Sequence, residues 1–157
     1  VFGEIDGLLH NAGILGDRTP IASYKVGTWE AVMRVNVSSP FKLTKALLPL
    51  LQSSNNASII FTSSGVGRTG KAYWGAYAVS KFAIEGLSQV LANELEETSN
   101  IRVNCVNPGP IRTRMRASAF PAENPNTLKE PIEIMPSYLY LIGDKSMNIS
   151  GTTIDAQ

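Results

Sequence analysis

The sequence predicts an α/β domain with a doubly wound parallel sheet, and three observations carry that prediction. Short apolar runs alternate with longer amphipathic ones along the chain, the pattern of strands joined by crossover helices. Three of the short runs end in turns rich in Gly, Ser, Asn or Pro, and in such a sheet the ligand crevice lies beyond the carboxyl ends of the strands. The length, 157 residues, suits one hydrophobic core and excludes two ordinary domains.

Each element has its own signal. Ile5 to His10 reads as a first strand ending in Asn11-Ala12-Gly13, and a polar, Gly/Pro-containing loop follows through Gly27. Thr28 is placed to N-cap a helix, and from Trp29 the apolar residues Val32, Met33, Val35, Phe41, Leu43, Ala46, Leu47 and Leu50 recur at helical spacing to about Gln52. Ser53 to Ala57 is a turn. Ser58 to Ser64 is a second strand, running into Gly65, Gly67 and Gly70, a segment expected to form a mobile polar loop. Tyr77 to about Glu97 is a second long helix whose apolar face, from Ala78 to Leu95, is wide enough to be buried on more than one side.

Ile101 to Val106 is a third strand, closed by Asn107-Pro108-Gly109-Pro110, where proline removes a ladder donor. Met115 to Pro131 is rich in Pro and Asn and is predicted as a surface excursion or lid. A helix over Ile132 to Ile142 and a last strand over Thr152 to Ala156 complete four strands and three or four helices.

Composition narrows the function. The net charge is +1 with no long run of either sign, so neither nucleic acid nor an anionic membrane is favoured as a partner. The longest apolar run, Ala46 to Leu51, is interrupted by Pro49 and falls far short of the roughly 20 residues that span a bilayer. The opening Val-Phe-Gly-Glu-Ile-Asp lacks the features of a secretory signal and starts in mid-pattern, as if cut from a longer chain. One cysteine, Cys105, and one histidine, His10, leave disulfides, zinc and Ser-His-Asp chemistry poorly supplied, and point to a reducing cytoplasm. Charged residues make up only 17%, against about 25% in an average soluble protein, so helix faces or subunit contacts are expected to cover part of the surface.

Tyr77 and Lys81 stand at i and i+4, so on a helix they share one face and the ammonium can lie near the phenol. A cation there favours phenolate and brings a Tyr of ordinary pKa about 10 towards general acid/base range. The pair alone is unspecific, since chance supplies roughly 0.2 of one in a chain of this size, and the alternative is a solvated helix start. Ser64 ends a strand just before the Gly-rich loop that leads to Tyr77, so both hydroxyls can face one carbonyl oxygen. Asn36 lies four residues before Pro40, which has no N–H, so the Asn36 carbonyl lacks its helical donor. Either a core helix is kinked there, or the carbonyl anchors a water in a proton path.

Taken together, Asn11-Ala12-Gly13 after a strand, Asn36, Ser64, Tyr77-x-x-x-Lys81, Asn107-Pro108-Gly109 and Thr113 resemble the short-chain dehydrogenase/reductase family in order and spacing along nearly the whole chain. The ending, Gly151 to Gln157, is similar to that of one bacterial group within it. The resemblance implies a Rossmann-like fold and an NAD- or NADP-dependent oxidoreductase that interconverts a small-molecule carbonyl and alcohol. In it Tyr77 would be the general acid/base and Ser64 would position the substrate oxygen. Lys81 would lower the Tyr77 pKa and bind the nicotinamide ribose, and the Asn36 carbonyl would hold a water. Asn11, Ala12, Gly13, Pro108, Gly109, Ile111 and Thr113 would border the cofactor.

The family's Gly-rich phosphate turn and the residue that selects NAD or NADP are missing, so the chain is expected to supply the C-terminal portion, strands four to seven of the family pattern, and to leave its first strand with an open edge. A homodimer or homotetramer through helices 28–52 and 77–97 is expected from their broad apolar faces and from the resemblance. His10 reads as a structural histidine and Cys105 as a buried filler. Arg112, Arg114 and Arg116 read as a basic loop or as anion contacts, and Tyr73 and Trp74 as packing or pocket walls. The rival readings are a non-catalytic binding or scaffold protein on the same fold, and a fragment inactive on its own.

Overall fold

A computed structural model describes residues 3–157. Val1 and Phe2, the start of the opening stretch read above as non-secretory, lie outside the described residues. Strands β1 (Gly7–His10), β2 (Ser58–Thr62), β3 (Arg102–Asn107) and β4 (Thr153–Asp155) form one parallel sheet in the order β1-β2-β3-β4. Register aligns Phe61 with both His10 and Cys105, so the strands' carboxyl ends, and the residues beyond them, lie at one edge. β2 is buried on both faces, as its continuous Ile59-Ile60-Phe61 run requires of a strand covered by helices on each side. β1 is an edge strand, with Leu9 exposed.

The helices are α1 (Val26–Met33), α2 (Ser39–Gln52), α3 (Gly75–Leu95), α4 (Arg114–Ala119) and α5 (Met135–Ile142). One core of Leu51, Ile59, Phe61, Ile84, Leu91 and Val103 joins α2 and α3 to the sheet, and another of Ile60, Val106, Tyr138 and Leu141 seats α5 on the opposite face. Arg102 is buried at the start of β3 and donates to the carbonyls of Leu141 and Gly143, satisfying the orphan acceptors at the end of α5.

Several expectations need correction. The single helix over 28–52 is two helices joined by a π-turn, Arg34–Ser38, and its start is Val26 with Lys25 at the cap, so Thr28 is inside the helix. The π-turn sits just before Pro40, whose missing N–H breaks the i→i−4 ladder. The segment after β2 is anchored, since Val66 and Gly67 are buried. Ser64 lies beyond β2 in extended backbone. The excursion over 115–131 contains most of α4, capped by Thr113 Oγ1 accepting from the Arg116 N–H at 3.1 Å, and a short 3-10 turn, Pro125–Thr127. The helix expected from Ile132 begins as a 3-10 turn, Pro131–Ile134, and becomes α-helical at Met135.

His10 is held as expected of a structural histidine. It shares a hydrogen bond of 2.8 Å with Thr44 Oγ1 and stacks on Phe61 at a ring separation of 4.8 Å. Burial pushes its pKa from 6.5 down to about 4. The unfolded chain takes up this proton near pH 6.5 and the folded chain only near 4, so stability present above pH 6.5 is lost as the pH falls between those values. Thermal midpoints measured across that window should fall with pH in the native protein and fall less steeply in His10→Gln.

Candidate active site

Beyond the carboxyl ends of β1, β2 and β3 lies a cavity of about 620 Å³. Asn11, Ala12, Gly13, Ser64, Tyr77 and Lys81 line it, as do Pro108, Gly109, Ile111 and Thr113. Of the predicted site residues only Asn36 is not on its wall; it is buried close behind, at the π-turn.

α3 supplies two of the reactive groups because positions 77 and 81 are one helical turn apart and both are buried on the sheet-facing side. The Tyr77 ring packs against Trp74 at 5.8 Å and belongs to a small cluster with Val66 and Ala78. Burial pushes the Tyr77 phenol above its ordinary range, while the Ser64 hydroxyl pulls the other way. The expected lowering by Lys81 is therefore not what the structure shows. Lys81 Nζ donates 2.6 Å to the Thr62 carbonyl and stands 5.5 Å from the centre of the Tyr77 ring. Burial lowers the Lys81 pKa to about 8, which still leaves the ammonium mostly protonated at neutral pH.

Asn36 acts here through its side chain, a role the missing Pro40 N–H did not reveal. Its Oδ1 accepts from the Ile14 N–H at 2.8 Å, and its Nδ2 donates to the Ile14 carbonyl at 2.9 Å and to Ser80 Oγ at 3.0 Å. Ser80 in turn donates 2.7 Å to the Tyr77 carbonyl, so the π-turn, the loop after β1 and the first turn of α3 are tied together. A Cβ at position 13 would stand 3.4 Å from Asn36 Oδ1 and 3.9 Å from Lys81 Nζ, so the turn after β1 packs directly against both side chains.

The remaining walls are built from backbone turns and apolar side chains. Gly109 holds φ at +68°, a left-handed turn after β3 that glycine adopts without strain. Thr62 Oγ1 donates 3.1 Å to Asn11 Oδ1, fixing the first residue of the Asn11-Ala12-Gly13 turn. Leu15, Trp74, Met115 and Met135 give the far side an apolar character. Arg116 lines the cavity but is neutralised by Glu123 through two bonds of 2.6 Å, and Arg112 pairs with Glu130. Arg18 stacks 4.2 Å over Trp74 and donates 2.6 Å to the Ala119 carbonyl, pinning α4 across the loop after β1. Tyr73 is exposed, whereas Trp74 reaches the cavity. Cys105 is buried in β3, where burial pushes its thiol up to about 11.

A parallel α/β sheet with a cavity at its carboxyl edge defines a Rossmann-type protein. Residues 1–124 match the family model described as short chain dehydrogenase, and the chain belongs to that family. It is 56% identical over 156 residues to the oxidoreductase YciK of Escherichia coli K12, covering 99% of this chain and 61% of that protein. A short chain dehydrogenase from Escherichia coli CFT073, crystallised with NADPH, superposes with a TM-score of 0.96 at 56% identity, covering 99% of this chain and 64% of that one. A short chain dehydrogenase from Shigella flexneri 2a, crystallised with NADP, gives a TM-score of 0.95 at 56% identity, covering 98% of this chain and 64% of that one. The chain thus spans about three fifths of the length of these relatives.

Proposed function

We propose that the full-length protein is an NAD- or NADP-dependent oxidoreductase that interconverts a small-molecule carbonyl and alcohol, with Asn36, Ser64, Tyr77 and Lys81 as its catalytic set. The observation that carries this reading is the convergence of Ser64, Tyr77 and Lys81 on one cavity at the carboxyl ends of parallel strands.

The residues present fit the nicotinamide end of such a cofactor. Among the described residues Lys81 Nζ donates to the Thr62 carbonyl, and an ammonium has further donors to offer ribose hydroxyls in the cavity it lines. The Asn11-Ala12-Gly13 turn and the Pro108, Gly109, Ile111 and Thr113 wall present backbone and small side chains that permit close approach. The solved relatives crystallised with NADPH and NADP support the same assignment. When bound, the nicotinamide supplies or takes the hydride at the carbonyl carbon.

This chain's own residues handle the proton and the orientation. Tyr77, whose phenol burial pushes above its ordinary range, donates its hydroxyl proton to a substrate oxygen in reduction and regains one in the reverse direction. Ser64, which lines the same cavity as Tyr77, orients the same oxygen and polarises the carbonyl. The Lys81 ammonium binds the nicotinamide ribose, and the Asn36 carbonyl holds a water through which Lys81 exchanges protons with solvent. The segment 115–131, with α4 pinned by Arg18, closes over the substrate as a lid.

Phe41 and Leu43 on α2, and Val79, Phe82 and Val90 on α3, are exposed, which supports a homodimer or homotetramer through these helices. No helix among the described residues is long and apolar enough to cross a membrane, and we assign neither a membrane nor a nucleic-acid partner. The lone buried Cys105 agrees with a cytoplasmic setting. The test is turnover of the full-length protein with NADH or NADPH and a panel of apolar ketones and aldehydes. In Lys81→Met the affinity for the dinucleotide should weaken and kcat should fall by roughly 10²-fold or more. A dinucleotide bound without turnover of any carbonyl or alcohol favours the scaffold reading instead.

A further inference from the structure

Glu85 follows Lys81 by one turn of α3 and Tyr77 by two, yet none of the chemistry above uses it. Its side chain is 10% exposed. A carboxylate so placed carries a large desolvation cost that only specific bonds offset. The i, i+4 spacing suggests a pair with Lys81, but Lys81 points to the Thr62 carbonyl and Glu85 points elsewhere. Its Oε1 accepts 2.5 Å from Ser63 Oγ and 3.4 Å from Arg68 Nε, and its Oε2 accepts 3.2 Å from Thr153 Oγ1.

The bonds continue outward from Arg68. Its two terminal nitrogens fork onto Asp155 at 3.2 and 3.1 Å, and Asp155 Oδ1 also accepts from Asn107 Nδ2 at 2.7 Å. Asn107 Oδ1 then accepts from the Gly109 N–H at 3.2 Å. One connected set of bonds therefore runs from Ser63, the neighbour of Ser64, to Gly109 on the opposite wall of the cavity. It ties the ends of β2, β3 and β4 to the same face of α3 that carries Tyr77 and Lys81.

We propose that Glu85 is a positioning residue of this site, holding the Ser64 wall and the Asn107–Gly109 wall in register through Ser63, Arg68 and Asp155. The inference rests on the reading of the cavity given above. Polar networks in a low-dielectric interior stiffen what they connect, and a displacement of about 1 Å at a reacting group can cost up to 10²-fold in rate. Glu85 touches neither substrate nor cofactor and acts only by fixing the two walls.

Backbone amide exchange in the substrate-free protein tests this without turnover. The Gly67 N–H donates 2.8 Å to the Ser64 carbonyl and reports the first wall, and the Gly109 N–H reports the second. In Glu85→Gln, which retains an acceptor for Ser63 but loses the charge that faces Arg68, both amides should exchange roughly tenfold faster while the amides of α3 from Ile84 to Leu91 hold their rates. Asp155→Asn, at the exposed far end of the network, should accelerate the same two amides and supplies the test if Glu85→Gln does not fold. In full-length enzyme with NADPH, kcat of Glu85→Gln should fall roughly tenfold with KM for NADPH changed less than about twofold. Unchanged exchange, acceleration at one wall alone, or acceleration throughout α3 overturns the proposal. Coupled acceleration in a protein that turns over no carbonyl upholds the link between the walls and overturns the oxidoreductase reading alone.

Discussion

Tyr77→Phe should lower kcat of the full-length protein by roughly 10²- to 10⁴-fold while leaving dinucleotide affinity and thermal stability close to native. The argument rests on what the substitution keeps. The ring still packs against Trp74 at 5.8 Å and stays within the cluster with Val66 and Ala78, so the start of α3 has no reason to move. Lys81 keeps its bond to the Thr62 carbonyl and its place in the cavity, so the group assigned to the ribose is unaffected. Only the hydroxyl is lost, and with it the proton that the carbonyl oxygen must receive. Steady-state kinetics beside a fluorescence titration of NADPH separates the two effects. Turnover retained within tenfold would remove Tyr77 from the mechanism.

The sequence made the positions of the reactive groups legible because two periodicities place them. A helix brings residues 77 and 81 to one face, and strand ends carry Asn11, Ser64 and Asn107 to one edge of a parallel sheet. What depends on distant partners was not legible. Asn36 announced itself through Pro40, but its amide is bonded to Ile14 and Ser80, 22 and 44 residues away, and no local pattern encodes that. Glu85 carried no signal in the sequence, and only the packing of α3 against Ser63 and Arg68 shows it to be buried. The spacing of Tyr77 and Lys81 gives proximity without burial, so it suggested a lowered phenol where desolvation in fact raises it. The start of α1 was misplaced for a related reason. Thr28 has capping chemistry, but Lys25 occupies the cap without a side-chain bond, and Val26, Gly27 and Thr28 complete the first turn.

The largest stability effect is expected at Phe61, in the middle strand pairing that supports both ends of the cavity. Its side chain is fully buried within the core shared by Leu51, Ile59, Ile84 and Leu91. On its other side the ring stacks on His10 at 4.8 Å with the planes 13° apart. Phe61→Ala removes the apolar area and leaves a cavity between rigid neighbours, for a loss of about 3–5 kcal/mol. For a chain of this size that corresponds to a fall in the thermal midpoint of roughly 6–20 °C. The loss should reach function as well, because Phe61 leads directly into Thr62, Ser63 and Ser64, and His10 leads into Asn11. With the stack gone, His10 depends on Thr44 alone, and the carboxyl ends of β1 and β2 lose their common support. Phe61→Leu refills most of the space and should cost roughly 1 kcal/mol, keeping the strand ends aligned. Denaturant unfolding of the two variants measures the difference. Equal losses in Ala and Leu would mean that the ring's contact with His10, rather than the volume it fills, holds the edge together.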